Sequence, residues 1–305
     1  MGKVSLCTSF SLLVLYFTSL SAAAVESTAF QKSANVGTLQ NARNRMRRDL
    51  SSSQTSTEKI ECNSCGSNPM PTVARNYTAR SCVDHMEHGA SHCGHYVIDD
   101  GQESYVVFCD INTEIGFAYT LIESFTLKHN SFFKTKGLIV NWPINENSPN
   151  WNMYRLSHGR MSRIRDHSTY WRATCNFPSV GIDYHDYVRA RITDVDPIKE
   201  TLSGTCKKVE YINLRGHLGL QTTVPFWNNN VYWHMTTDSG STKCAFKPNR
   251  GAVNGEDNWG FYHIVNSKFR CTATANSTTQ YWMGDYIRGN TKIKSAQCKN
   301  CDKVY

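Results

Sequence analysis

Stretches with no apolar content alternate along the chain with short runs dense in β-forming residues. Tyr96-Val97-Ile98 and Tyr105-Val106-Val107-Phe108-Cys109 flank Asp99-Asp100-Gly101. Two such runs around an Asp-Gly turn predict a β-hairpin. Phe117 to Ile122 predicts the next strand. Between Asn150 and Arg165, apolar Trp151, Tyr154, Met161 and Ile164 stand among polar residues, with helical spacing in the second half. Val224 to Met235 and Trp259 to Val265 predict aromatic-rich strands separated by Asn, Gly and Asp loops. The pattern predicts an α+β domain with short helices and a loop-rich second half.

Ser51 to Thr57 is wholly polar, so residues 25–60 cannot build a core. Every tryptophan lies between Trp142 and Trp282, and residues 81–290 suffice for one well-buried domain. Ahead of it, Met1-Gly2-Lys3, the apolar run Leu6 to Leu20 and Ser21-Ala22-Ala23-Ala24 have the layout of a secretory signal peptide. No later run is long enough to predict a membrane span. Arg45-Met46-Arg47-Arg48 resembles the Arg-x-x-Arg sites cut by secretory convertases, with cleavage expected after Arg48. The expected organisation is a signal peptide at 1–24, a propeptide at 25–48, a Ser/Thr-rich lead-in with a CxxC at 49–80, the domain at 81–290 and a basic CxxC tail at 291–305.

Processing changes the charge. Residues 1–48 carry six lysines and arginines against Glu26, so five of the formal eight positive charges belong to the leader and about three to the remainder. No clustered basic face follows, which argues against nucleic acid as a partner. The tail, with Lys292, Lys294, Lys299 and Lys303 against Asp302, is locally basic. No dense carboxylate run exists, so attraction of acidic proteins or polysaccharides fits the chain better than templating of calcium mineral. Two sequons, at Asn76 and Asn276, predict surface glycans.

Of twelve cysteines, Cys7 leaves with the signal peptide. Cys62, Cys65, Cys82, Cys93, Cys109, Cys175, Cys206, Cys244, Cys271, Cys298 and Cys301 remain. In an oxidising compartment they read as a disulfide framework. Their odd number leaves one thiol over, free or in a disulfide-linked oligomer. Cys62-x-x-Cys65 and Cys298-x-x-Cys301 have zinc-ligand spacing, but outside the cell disulfides between the two ends of the chain are the favoured reading. Esterase-elbow, zincin and phosphate-loop motifs do not occur in the sequence.

Several segments together resemble a fibrinogen C-terminal-like domain. They are Ser81-Cys82, Gly94-His95-Tyr96-Val97-Ile98, Val106-Val107-Phe108-Cys109-Asp110 and Gly116 to Leu121, continued by Asn150 to Leu156 and Trp171 to Cys175. The resemblance implies a short helix after Cys82, a Cys82–Cys109 disulfide, and Cys93, where the family has no cysteine, as the leftover thiol. The implied helix puts His85, His88 and His92 roughly on one face, a spacing suited to zinc or copper. That family's calcium loop corresponds to Thr237 to Ser241 before Cys244-Ala245, where a single carboxylate stands, so calcium is expected to bind weakly or not at all. Cys244 and Cys271 also lie further apart than the family's second disulfide pair, and the remaining pairing stays open. The chain as a whole is similar to secreted skeletal organic matrix proteins of stony corals. The function implied is non-enzymatic adhesion to extracellular matrix proteins or polysaccharides. The alternatives are a lectin-like immune binder on the same fold and a secreted hydrolase whose site no motif reveals.

Overall fold

The computed structural model describes residues 77–229, 233–237, 243–247 and 265–287. Among the described residues, ten strands form one antiparallel sheet in the order β1-β2-β3-β10-β5-β6-β7-β8-β9, with β4 paired to β3 off this path. The strands are β1 (Gly94–Asp99), β2 (Ser104–Ile111), β3 (Phe117–Thr126), β4 (Met153–Arg155), β5 (Tyr170–Cys175), β6 (Tyr187–Arg191), β7 (Leu202–Leu214), β8 (His217–Asn228), β9 (Thr236–Thr237) and β10 (Thr278–Tyr286). The helices are α1 (Cys82–Glu87), α2 (His158–Asp166) and α3 (Phe177–Val180). Helix is thus a small part of the α+β expectation; the described residues are mostly antiparallel sheet. Residues 202–228, within the half expected to be loop-rich, form the longest hairpin of the sheet. Residues 1–76 and 288–305, with the leader, Arg48, Asn76, both CxxC pairs and the basic tail, lie outside the described residues, as do Asp238 to Ser241 and Trp259.

Local chemistry explains the framework. The β1–β2 hairpin pairs Gly94 with Cys109 through Asp99 with Ser104, and Asp99 Oδ1 accepts from Gly101 N in the turn. Gly101 takes a positive φ of 85° there, where a side chain is strained. Helix α1 starts with a capping box: Ser81 Oγ accepts from Val83 N and Asp84 Oδ2 accepts from Ser81 N. It buries Cys82 and Met86, while α2 buries Met161 and Ile164.

Strand β10, the last of these in the chain, lies inside the sheet and is hydrogen-bonded to β3 on one side and β5 on the other. At Gly284 an added Cβ would stand 2.0 Å from the Ala118 carbonyl oxygen, so only glycine fits this crossing. Among the described residues three disulfides staple the sheet: Cys82–Cys109 joins α1 to β2, Cys175–Cys271 joins β5 to the turn before β10, and Cys206–Cys244 joins β7 to the segment after β9. Cys244 and Cys271 therefore bond to different partners, not to each other.

Candidate functional site

Directly opposed residues in an antiparallel ladder project to the same face. The register pairs Phe117 with Tyr286, Gly284 with both Tyr119 and Tyr170, Tyr170 with Arg191, Arg172 with Arg189, and Arg189 with Tyr211. One face of β3, β10, β5, β6 and β7 therefore collects aromatic and arginine side chains. Its inner part is buried and polar. Arg172, wholly buried, donates from Nη1 to Glu114 Oε2 at 2.7 Å and from Nη2 to Asp110 Oδ2. Tyr187 OH and Arg189 Nη1 donate to Glu114 Oε1 at 2.8 and 3.1 Å. The Arg172 guanidinium lies 3.9 Å from the Tyr119 ring centre and 4.9 Å from that of Trp282. Burial pushes the Asp110 carboxyl up to about 7, against the lowering effect of Arg172. These charges are locked in mutual contacts and fix strand register.

At its outer edge the same face reaches solvent through Tyr286 and Arg191, while Tyr170, beneath Arg191, is buried. Tyr286 is 47% exposed, and its ring covers Gly116, a position with φ of 82° where an added Cβ would meet that ring at 2.5 Å. Ring centres of Tyr286 and Tyr170 stand 5.1 and 5.5 Å from that of Phe117. Arg189 lies over Phe117 at 4.8 Å and Arg191 over Tyr170 at 4.9 Å. A single carboxylate, Glu210, serves both arginines: Oε1 accepts from Arg191 Nε at 3.0 Å and Oε2 lies 3.4 Å from Arg189 Nε. Such stacking is favourable for guanidinium, which is weakly hydrated and planar.

The histidines expected to share a metal do not converge. His85 is buried, with Nε2 2.8 Å from Val97 O and Nδ1 3.0 Å from Tyr77 OH. Both ring nitrogens are thus engaged with the protein. His88 stacks on the Tyr77 ring at 3.7 Å and turns Nδ1 to Asp84 O at 2.8 Å. His92 lies beyond α1, with Nδ1 3.0 Å from Ser91 Oγ. The helix ends at Glu87, so the one-face spacing drawn through His92 does not apply. Among the described residues no three His, Cys, Asp or Glu side chains are grouped to hold a metal ion. The Cys93 thiol lies 3.2 Å from Asp110 Oδ1 and 3.4 Å from Thr113 Oγ1. Asn276 is exposed in the turn before β10.

Sequence reasoning passed over Arg189, Arg191 and Glu210. The signal was present in Tyr187-Val188-Arg189-Ala190-Arg191, where arginines alternate with apolar residues at the period of a strand with one wet face.

No family model and no curated protein matches the chain. Among solved structures the chain is similar to the fibrinogen-like globe domain of human ANGPTL6, at 14% identity and a TM-score of 0.34 over 70% of this chain and 97% of that one. It is also similar to the lamprey fibrin D-dimer complexed with the peptide ligand Gly-His-Arg-Pro-amide, at 11% identity and a TM-score of 0.30 over 90% of this chain and 92% of that one.

Proposed function

We propose that the chain is a secreted, non-enzymatic recognition protein with a divergent fibrinogen C-terminal-like domain, serving as an adhesive component of a skeletal organic matrix. The observation that carries the adhesive reading is the outer aromatic–arginine face. Tyr286 and Arg191 are held in place by their neighbours yet remain open to solvent, the condition for a rigid contact surface. Three disulfides support the extracellular part of the reading, since such bonds persist in oxidising compartments. The matrix role rests on the likeness to coral skeletal proteins alone.

Adhesion in this reading has two parts: the sheet face contacts a matrix macromolecule, and the basic tail at 291–305 draws acidic ones toward it. Exposed charge attraction is screened over about 8 Å at physiological salt. Binding of the mature protein to an acidic extracellular matrix fraction is therefore expected to weaken as salt rises, and to weaken further when residues 291–305 are removed. Salt-insensitive binding that survives the truncation would remove the tail from the mechanism; no binding at any salt would remove the adhesive reading itself.

A further inference from the structure

From the turn that leads into β10 we infer a modification site with a fixed place in time: Asn276 accepts an N-linked glycan, and does so only before β10 enters the sheet. The inference rests on the secretory part of the proposed function and adds to it the order in which the chain is modified and folded.

The sequon Asn276-Ser277-Thr278 straddles a boundary in the fold. Asn276 stands exposed in the turn after Cys271, whereas Ser277 and Thr278 are only 4% and 5% exposed. The backbone around them is held on both sides. Leu127 N donates to Ser277 O at 2.9 Å, Lys128 N to Ala275 O at 3.0 Å, and Asn176 N to Thr278 O at 2.7 Å. Thr278 is directly opposed to Thr126 in the β3–β10 ladder. The next residue, Thr279, is opposed to Cys175, the disulfide partner of Cys271. The folded protein therefore displays the asparagine and hides the hydroxyl that completes the sequon.

That hydroxyl carries the argument. Thr278 Oγ1 is covered and has no hydrogen-bond partner among the described residues. A buried hydroxyl left without a partner costs stability, and valine fills a similar space without that cost. Position 278 also lies in a strand, where a β-branched apolar residue is well suited. The fold makes no use of the oxygen, but the sequon requires it. A transferase that reads the hydroxyl two residues beyond the asparagine reaches it in the unfolded chain and not in the closed sheet.

The donor class is an oligosaccharide carried on a lipid pyrophosphate. The Asn276 amide nitrogen forms a bond to the anomeric carbon of the first sugar as the bond from that carbon to the phosphate oxygen breaks. The amide gives up one proton and the lipid pyrophosphate leaves. Strand β10 then enters between β3 and β5, and the glycan stays outside on the exposed turn.

The test uses the full-length chain carrying Asn76→Gln, which leaves Asn276-Ser277-Thr278 as its one sequon. Secreted from animal cells, this chain is expected to lose the mass of one glycan on treatment with peptide N-glycosidase. Asn276→Gln and Thr278→Val are each expected to abolish that shift, and Thr278→Ser to keep it. Thr278→Val is expected to melt no lower than unglycosylated parent protein, and circular dichroism checks that each variant is folded. A second arm fixes the order of events. The same chain, made in a bacterial periplasm so that its disulfides form without a glycan, is offered to purified oligosaccharyltransferase and lipid-linked oligosaccharide. A reduced and alkylated sample stands beside it. Transfer to the folded sample is expected to be lower by roughly tenfold or more, since it requires local opening of β10. A secreted chain with no glycan on Asn276, a glycan that survives Thr278→Val, or equal transfer to folded and unfolded samples would each overturn the inference. If the chain never enters the secretory pathway, the secretory reading fails and the purified-enzyme arm alone decides. Selective transfer to the unfolded sample upholds the site, and no transfer overturns it.

Discussion

Arg155 and Glu123 are directly opposed in the β3–β4 ladder, and their side chains meet at 3.0 Å with no exposure to solvent. Arg155 also donates to the carbonyls of Lys136, Gly137 and Val140 at 2.7 to 2.9 Å. Glu123 Oε1 in turn lies 2.5 Å from His234 Nε2. One buried pair therefore ties β3 and β4 to the loop after β3 and to the segment before β9. Its value lies in registering those pieces, because a buried ion pair gains little net stability over well-packed apolar residues.

Removing one member is another matter. Glu123→Leu leaves the Arg155 charge buried without its counter-ion, and we expect stability to fall by about 3–5 kcal/mol. Urea unfolding reads this as a lower midpoint at unchanged slope. Adding Arg155→Met is expected to restore only part of the loss, since three buried carbonyls then lose their donor. A neutral Glu123→Leu would show that the pair is not buried as described.

Asp110 gives a pH signature. Burial raises its folded-state pKa from 3.8 to about 7. Between those values the folded protein holds a proton that the unfolded chain has released, so this group's contribution is full below about pH 4 and is lost as pH rises through about 7. Asp110→Asn is expected to flatten that falling component in a series of unfolding measurements from pH 4 to 8. An unchanged pH profile in the variant would contradict the assignment.

Much of this architecture was legible in the chain. The β1–β2 hairpin followed from two β-rich runs around Asp99-Asp100-Gly101, and α2 from the spacing of Met161 and Ile164. Strand β3 was read only to Ile122 but continues to Thr126, because Glu123 and Ser124 look like a polar stop until Arg155 is opposite them. The β7–β8 hairpin is hidden in the sequence for a related reason. Lys207, Lys208 and Glu210 make β7 read as a polar loop, whereas the strand needs only Val209, Ile212 and Leu214 fully buried to hold its place. The outer site was hidden because its residues come from five strands whose order no local pattern reveals. The histidines misled because spacing on a helix says nothing of what Tyr77 and the Val97 carbonyl already occupy.

The disulfides should differ in weight. Cys175–Cys271 spans 96 residues and Cys82–Cys109 spans 27. In the chain-entropy account these contribute about 4.7 and about 3.5 kcal/mol. Replacing Cys175 and Cys271 by alanine is expected to lower the thermal midpoint more than replacing Cys82 and Cys109, and non-reducing peptide mapping should recover all three pairs. Recovery of Cys244 joined to Cys271 would contradict the stapling pattern.

Gly284→Ala tests the close packing of β10 on β3. The new methyl meets the Ala118 backbone carbonyl, which cannot move without disturbing the β3–β10 ladder. A loss of about 1–3 kcal/mol or more is expected from overpacking of this kind, and a stable Gly284→Ala variant would mean that β10 does not lie against Ala118.

Fractionation of cells expressing the tagged full-length chain tests the central claim most directly. The account predicts that the protein leaves the cell, with its disulfides formed, and is retained in the insoluble extracellular material, from which rising salt releases it. Protein that stays inside the cell, or that passes wholly into the medium with no retention at any salt, would contradict it.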